Sequence, residues 1–207
     1  MYIPKAYQNQ SPEEALSFIQ TFPFGILANQ QNQKMVATHL PFVAEKEGDR
    51  LVLFSHIAKL NSQLNQKSEE EVLTIFSEPH SYISPSHYEK TDSVPTWNYV
   101  SAHLYGKVVL LHEKDDQLLV LEKMIRFFEK EYESQWKSLS QKYKTALLAE
   151  IIAFKIEVHE IQLQEKLSQD RNKKERESII HKTSKSDKEN EKTIGIFMQK
   201  KEKTSKT

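Results

Sequence analysis

Between residues 24 and 55, three strand-length apolar segments follow one another with only short polar breaks, and this constrains the fold more than any other feature. Residues 24–29 are apolar, the polar stretch 30–33 reads as a turn, and 35–44 form the second segment. A break at 45–49 contains Gly48, and 51–55 form the third segment. Connections this short turn the chain back beside itself, so the pattern predicts a meander of β-hairpins in an antiparallel sheet or barrel. Residues 72–77 and 103–111 are further strand candidates. Across 151–163, Phe154, Ile156 and Val158 alternate with Lys155, Glu157 and His159, the period of a half-buried strand placed to close the barrel.

Helices flank this β pattern. Ser11-Pro12-Glu13-Glu14 is a helix start, with Ser11 as cap, Pro12 at the first helical position and Glu14 reaching back. Ala15, Leu16, Phe18 and Ile19 supply its apolar face, which ends before Pro23. A short helix is predicted over 58–66 and another over 141–150. The spacing of Leu118, Leu119, Leu121, Ile125, Phe128 and Tyr132 predicts a long helix over 115–134.

Charge divides the chain. Residues 166–207 carry 13 Lys and Arg against 7 Asp and Glu, so the first 165 residues carry 16 against 22. The expected organisation is a globular domain over 1–181 followed by a basic, mobile tail over 182–207. Within that tail Ile194, Ile196, Phe197 and Met198 form an apolar patch able to dock on the body or on a partner.

Several chemistries are excluded. The chain has no cysteine, which removes disulfides, thiolate metal sites and a cysteine nucleophile. Four glycines leave no Gly-rich phosphate loop, so a bound phosphate must be held by side chains and helix ends. No nucleophile elbow is present. His80 and His87 lack companion carboxylates at a metal-site spacing, so no metal site is expected. The start has no apolar signal core, and no apolar run nears the roughly 20 residues needed to span a bilayer. The expectation is a soluble cytoplasmic protein without membrane association.

Polar side chains concentrate in three places. At the junction after the third strand, Ser55, His56, Lys59 and Asn61 surround a predicted helix N-terminus, which suits an anion such as phosphate. Ser55 as a simple cap, with Lys59 and Asn61 in solvent, is the structural alternative. The second place spans residues 79–99, where three prolines join His80, Tyr82, Ser84, His87, Tyr88, Trp97, Asn98 and Tyr99. Planar side chains with polar tips on a rigid loop suit a flat heteroaromatic ligand, or a loop packed over the barrel end. The third is Lys166-Leu167-Ser168-Gln169-Asp170-Arg171, after the last strand. Thr38 and His39 add polar groups on an earlier strand.

The order of these pieces resembles the PaiB family of FMN-binding negative transcriptional regulators, within the FMN-binding split-barrel group. The resemblance rests on Met1-Tyr2-Ile3-Pro4, Ala37-Thr38-His39-Leu40-Pro41, Ser77-Glu78-Pro79-His80-Ser81-Tyr82-Ile83-Ser84-Pro85-Ser86, Val94-Pro95-Thr96-Trp97-Asn98-Tyr99, His103-Leu104-Tyr105-Gly106 and the stretch Lys166 to Arg171. It runs from residue 1 to about 181 and does not cover the tail.

That resemblance implies a mainly β protein with flanking helices, a six-stranded antiparallel split β-barrel paired as a homodimer with FMN at its interface. It places the phosphate near Ser55, His56, Lys59 and Asn61, with Thr38 and His39 nearby. Tyr82, Ser84, Trp97 and Asn98 flank the isoalloxazine or line its entrance, and Lys166, Ser168 and Gln169 approach from the neighbouring subunit. His56 and Lys59 stand where relatives grip the phosphate by Arg.

The function implied is repression of protease-synthesis and sporulation genes. No helix-turn-helix pattern is present and the body is acidic, so regulation through a protein partner is expected rather than DNA binding by the folded body. A flavin-dependent oxidoreductase of the flavin-reductase kind is the alternative. A haem-handling split barrel, with His39, His80, His87 or His103 as iron ligand, is a further one.

Overall fold

The computed structural model describes residues 1–9, 11–64, 71–90 and 92–204. Two compact units divide the chain. The first comprises Met1–Gln10, Ser77–Ala102 and Gln162–Thr207, and the second Ser11–Phe76 and His103–Ile161. No helix among the described residues is long and apolar enough to cross a membrane.

The second unit begins with α1 (Pro12–Thr21), capped by Ser11, whose Oγ accepts from the Glu14 N–H at 3.2 Å. Strands β2 (Phe24–Gln31) and β3 (Lys34–Pro41) form a hairpin from Phe24↔Pro41 to Gln31↔Lys34. Its two turn residues, Asn32 and Gln33, both have positive φ (48° and 64°), as a hairpin turn matched to strand twist requires. β4 (Val43–Glu47) and β5 (Arg50–Ala58) pair around a turn at Gly48, φ 63°. β6 (Glu71–Phe76) pairs with β2.

After β8 (Thr96–Leu111) come α2 (Lys114–Phe128), α3 (Tyr132–Ser138), α4 (Gln141–Leu148) and β9 (Ile151–Lys166). The strand order is β3-β2-β6-β8-β9-β5-β4, and it ends at β3 and β4 without closing. In the first unit β1 (Gln8–Asn9) pairs with the end of β9, and β7 (His80–Ile83) pairs with the start of β8. Helices α5 (Lys173–Thr183) and α6 (Glu189–Thr204) follow.

The expected antiparallel sheet with flanking helices is therefore present, with nine strands among the described residues where six were expected. One difference arises because Phe42 interrupts the segment 35–44, dividing it into β3 and β4. The others are β1 and β7, of two and four residues, too short to show alternation.

The second unit's core is built where α2 covers β4, β5 and β9. Val43, Val52, Phe54, Ala153, Val120 and Met124 form one buried cluster against which Leu111 packs. The helix stops at Phe128, and its buried positions are Val120 and Met124, one turn apart, while Leu119 faces solvent. The leucine face inferred from spacing is rotated from the one used. Phe42 meets the rings of Phe76 and Phe154 edge-on, with centroids 5.6 and 6.5 Å apart. Gly25 is required by that packing, since a Cβ there would lie 2.7 Å from the Phe76 ring.

In the first unit α6 packs on α5 and β7, burying Ile194 and Met198. Composition led to the expectation of a solvated tail from 182 onward. The chain instead completes α5 and forms α6 through residue 204, because Ile194 and Met198, four residues apart, share one helical face. Gly195 lets this helix approach closely, as a Cβ there would stand 2.8 Å from the Thr183 hydroxyl.

Candidate functional site

The second-unit candidates gather at the end of β5. That strand runs to Ala58, and only a three-residue 3-10 turn, Ser62–Leu64, follows among the described residues. The predicted helix over 58–66 is absent across its described part; residues 65 and 66 lie outside the described residues. A helix N-terminus is thus not available for phosphate, and the local N–H groups are already used. Lys59 donates to the Glu150 carbonyl at 2.9 Å, Asn61 to the Ala58 carbonyl at 2.8 Å, and Gln63 to Asn61 Oδ1 at 2.9 Å.

What holds this loop is a network of amide side chains. Gln63 is buried, and its Nε2 donates to the Leu27 carbonyl (2.9 Å) and to Asn29 Oδ1 (3.1 Å). Asn29 Nδ2 and Gln31 Nε2 both donate to the Gln63 carbonyl, at 3.3 and 2.6 Å. The Thr38 hydroxyl donates to Gln63 Oε1 and accepts from Asn61 Nδ2 at 3.0 Å. Sequence reasoning found Thr38 and Asn61 but not Gln63, Asn29 and Gln31. The available signal was the alternation of Asn29 and Gln31, which puts two amides on one face of β2.

Two further candidates serve the framework. Ser55 is fully buried and donates to the Pro41 carbonyl at 2.7 Å, tying β5 to the end of β3. His56 is half-buried, with Nδ1 3.2 Å from Met124 Sδ, and burial holds its pKa below the usual histidine value. A neutral imidazole in contact with a thioether is not a phosphate cation. His39 is exposed and stacks on Phe24, centroids 6.2 Å apart. That leaves Lys59. Its side chain is exposed, and its ammonium makes no ion pair or hydrogen bond among the described residues.

The remaining candidates lie in the first unit. Trp97 and Tyr82 are each about half exposed, 51% and 49%, and meet edge-on at 6.0 Å, with His80 tilted against Trp97 at 5.9 Å. Ser84 accepts from the Ser86 N–H at 3.2 Å and caps a 3-10 turn, Pro85–His87. Asn98 is fully buried, accepts from the Ser168 hydroxyl at 3.0 Å, and places its Nδ2 3.5 Å from Met198 Sδ beneath α6. Ser168 sits at φ 59° in the turn that Gln169 closes by accepting from the Leu167 N–H at 2.6 Å. Lys166 donates to the Trp97 carbonyl at 2.9 Å and to the Thr96 hydroxyl. Asn98, Ser168, Gln169 and Lys166 therefore fix the hairpin that displays Trp97 and Tyr82.

The structure thus forms two groups, one in each unit. Thr38, Asn61 and Lys59 belong to the second, and Tyr82, Trp97 and their supports to the first. His103 is half-buried in the second unit and His87 in the first, both with pKa values lowered by burial. Among the described residues no group of three or more His, Cys, Asp or Glu could hold a metal ion.

Comparison with known proteins assigns the chain. Residues 1–160 match the family described as "Putative FMN-binding domain". Over 204 residues the chain is 37% identical to the protease synthase and sporulation protein PAI 2 of Bacillus subtilis, covering 97% of this chain and 98% of that one. The chain belongs to the PaiB family of FMN-binding proteins.

Solved structures agree on the fold. The FAD- and haem-binding protein of Mycobacterium smegmatis is 18% identical with a TM-score of 0.60, covering 77% of this chain and 73% of that one. The flavocytochrome Anf3 of Azotobacter vinelandii is 13% identical with a TM-score of 0.62, covering 79% and 72%. The likeness places the chain in the flavin-binding split-barrel fold. FMN is the cofactor that the family assignment gives it.

The residues fit that cofactor. Lys59 precedes Asn61 by two residues, and the Asn61 amide donates to the Thr38 hydroxyl at 3.0 Å. A cation and an amide on this loop form a donor set for a phosphate dianion without a glycine loop.

Proposed function

We propose that this chain is an FMN-binding negative regulator of the PaiB type. In this reading it is a cytoplasmic homodimer that lowers expression of protease and sporulation genes. The observation that carries the reading is near-full-length similarity, on both sides, to the Bacillus protease synthase and sporulation protein, joined to a side-chain donor set for the FMN phosphate.

Lys59 supplies the charge and Asn61 the neutral donor, with Thr38 and Gln63 holding the Asn61 amide in place. Bound FMN supplies a redox-active ring whose state the protein reads. The output passes to a protein partner. α3 and α4 are joined by Leu139 and Ser140 alone, without glycine, and Lys144 on α4 is buried over the Trp136 ring, 5.0 Å from its centroid.

The exposed Tyr82–Trp97 pair favours one other reading, a flavin-dependent oxidoreductase that admits a planar co-substrate. The FMN-loaded chain mixed with NADH or NADPH separates the two. The regulator retains flavin and does not turn nicotinamide over in the steady state, and its expression in a protease-secreting host lowers secreted protease, an effect lost in Lys59→Ala. Sustained nicotinamide oxidation with unchanged protease output overturns the regulatory reading in favour of the enzyme.

A further inference from the structure

We propose that the second unit carries a second ligand site, separate from the phosphate loop, for an organic anion with an apolar body. The site is a concavity of about 600 Å³ at the opposite end of β5 from Lys59, within the roughly 300–1,000 Å³ of small-molecule sites. Arg50 opens β5 and Ala58 ends it, which at about 3.3 Å per residue separates the two ends by roughly 26 Å.

Strand pairing builds the pocket. The β5·β9 register, Val52↔Glu157, carries Arg50 and Leu51 alongside Val158 and His159. Gly106 on β8 allows close approach to β9, since a Cβ there would lie 2.6 Å from the Glu157 carbonyl oxygen. That approach sets the next residue, Lys107, at the same rim. Leu51 and Val158 are buried and, with Ile161 and the Pro12 ring, give the pocket an apolar floor.

The charges on the rim are unequally engaged. Glu157 is held by Lys155 at 3.0 Å, while Asp49 makes no ion pair among the described residues. His159 lies 3.8 Å from Glu71. Arg50 and Lys107 make no ion pair or side-chain hydrogen bond among the described residues. A guanidinium and an ammonium at the mouth of a pocket with an apolar floor, outnumbering the one unpaired carboxylate Asp49, suit a carboxylate or phosphate head on a hydrocarbon body.

Isothermal titration of the purified full chain with octanoate, octyl phosphate and octylammonium at moderate salt tests the site. The expected result is one anion bound per chain, with octylammonium at least tenfold weaker; the tighter of the two anions identifies the head group. Arg50→Gln with Lys107→Gln, both at exposed positions, should weaken the anions at least tenfold while FMN affinity is unchanged. Ile161→Trp, which fills the floor without altering charge, should abolish anion binding. Equal affinity for all three probes, no saturable binding of either anion, or full anion affinity in both variants overturns the proposal. A chain that fails to bind FMN yet binds octanoate refutes the cofactor reading and leaves this site standing.

Discussion

Lys59 is the cation at the β5 loop not already committed to the framework. His56 beside it is neutral and packed on Met124, and Ser55 is turned inward to Pro41. Lys59→Ala should therefore weaken FMN by about tenfold to a hundredfold, the range for a lost hydrogen bond to a charged group. Riboflavin, which has no phosphate, should be nearly unaffected, and an equal loss for both ligands in a fluorescence titration would refute the assignment. Gln63→Leu should behave differently. It removes the acceptor of the Thr38 hydroxyl and the donor to Asn29 Oδ1, each lost hydrogen bond costing about 0.5–1.5 kcal/mol, so thermal stability and FMN affinity should fall together.

Histidine chemistry adds a pH prediction. His56, His87 and His103 all have pKa values lowered by burial. The unfolded chain binds protons near the ordinary value of about 6.5 and the folded chain only below it, so stability is full above that value and falls as pH drops through it. Melting temperature should decline from pH 7.5 to 5.5, and His56→Asn should flatten the slope; a level profile would contradict the buried, neutral imidazole. Thr38 and Asn61 were legible as polar groups on a strand and a loop. Gln63 was not, because its role depends on β2, β3 and the loop meeting, which no local pattern announces.

At the scale of elements, α6 shows where composition misleads. Lys, Glu and Thr dominate its sequence and suggest a solvated tail, yet two apolar side chains one turn apart suffice to dock it. Ile194 is fully buried and Met198 nearly so. Salt bridges from Arg176 to Glu202 and from Lys201 to Glu165 flank the contact. Ile194→Ala should cost about 2–4 kcal/mol by cavity formation and lower the melting temperature by about 5–10 °C. An unchanged melting curve would show that α6 contributes nothing to the folded state. The opposite case is α1, where Ser11, Pro12 and the apolar positions after them sufficed to mark the helix. β1 and β7 were hidden because two to four residues carry no period.

For the whole molecule, the antiparallel hairpins and the alternation of 151–163 were enough to predict a β protein with flanking helices, although that strand lies within the sheet between β8 and β5 rather than closing a barrel. The long motifs around Pro79 and Trp97 narrowed that to one family. The strand order β3-β2-β6-β8-β9-β5-β4 could not be read locally, because neighbours such as β6 and β2 are joined only by distant pairing. The central claim is that this sheet holds FMN through side chains rather than a glycine loop. Size-exclusion chromatography of the purified chain after adding FMN, with absorbance read at the flavin and protein bands, tests it most directly. The account predicts flavin co-eluting with the protein at one per chain, in a peak of dimer size. Flavin eluting entirely as free ligand, from a chain that circular dichroism shows to be folded, would contradict it.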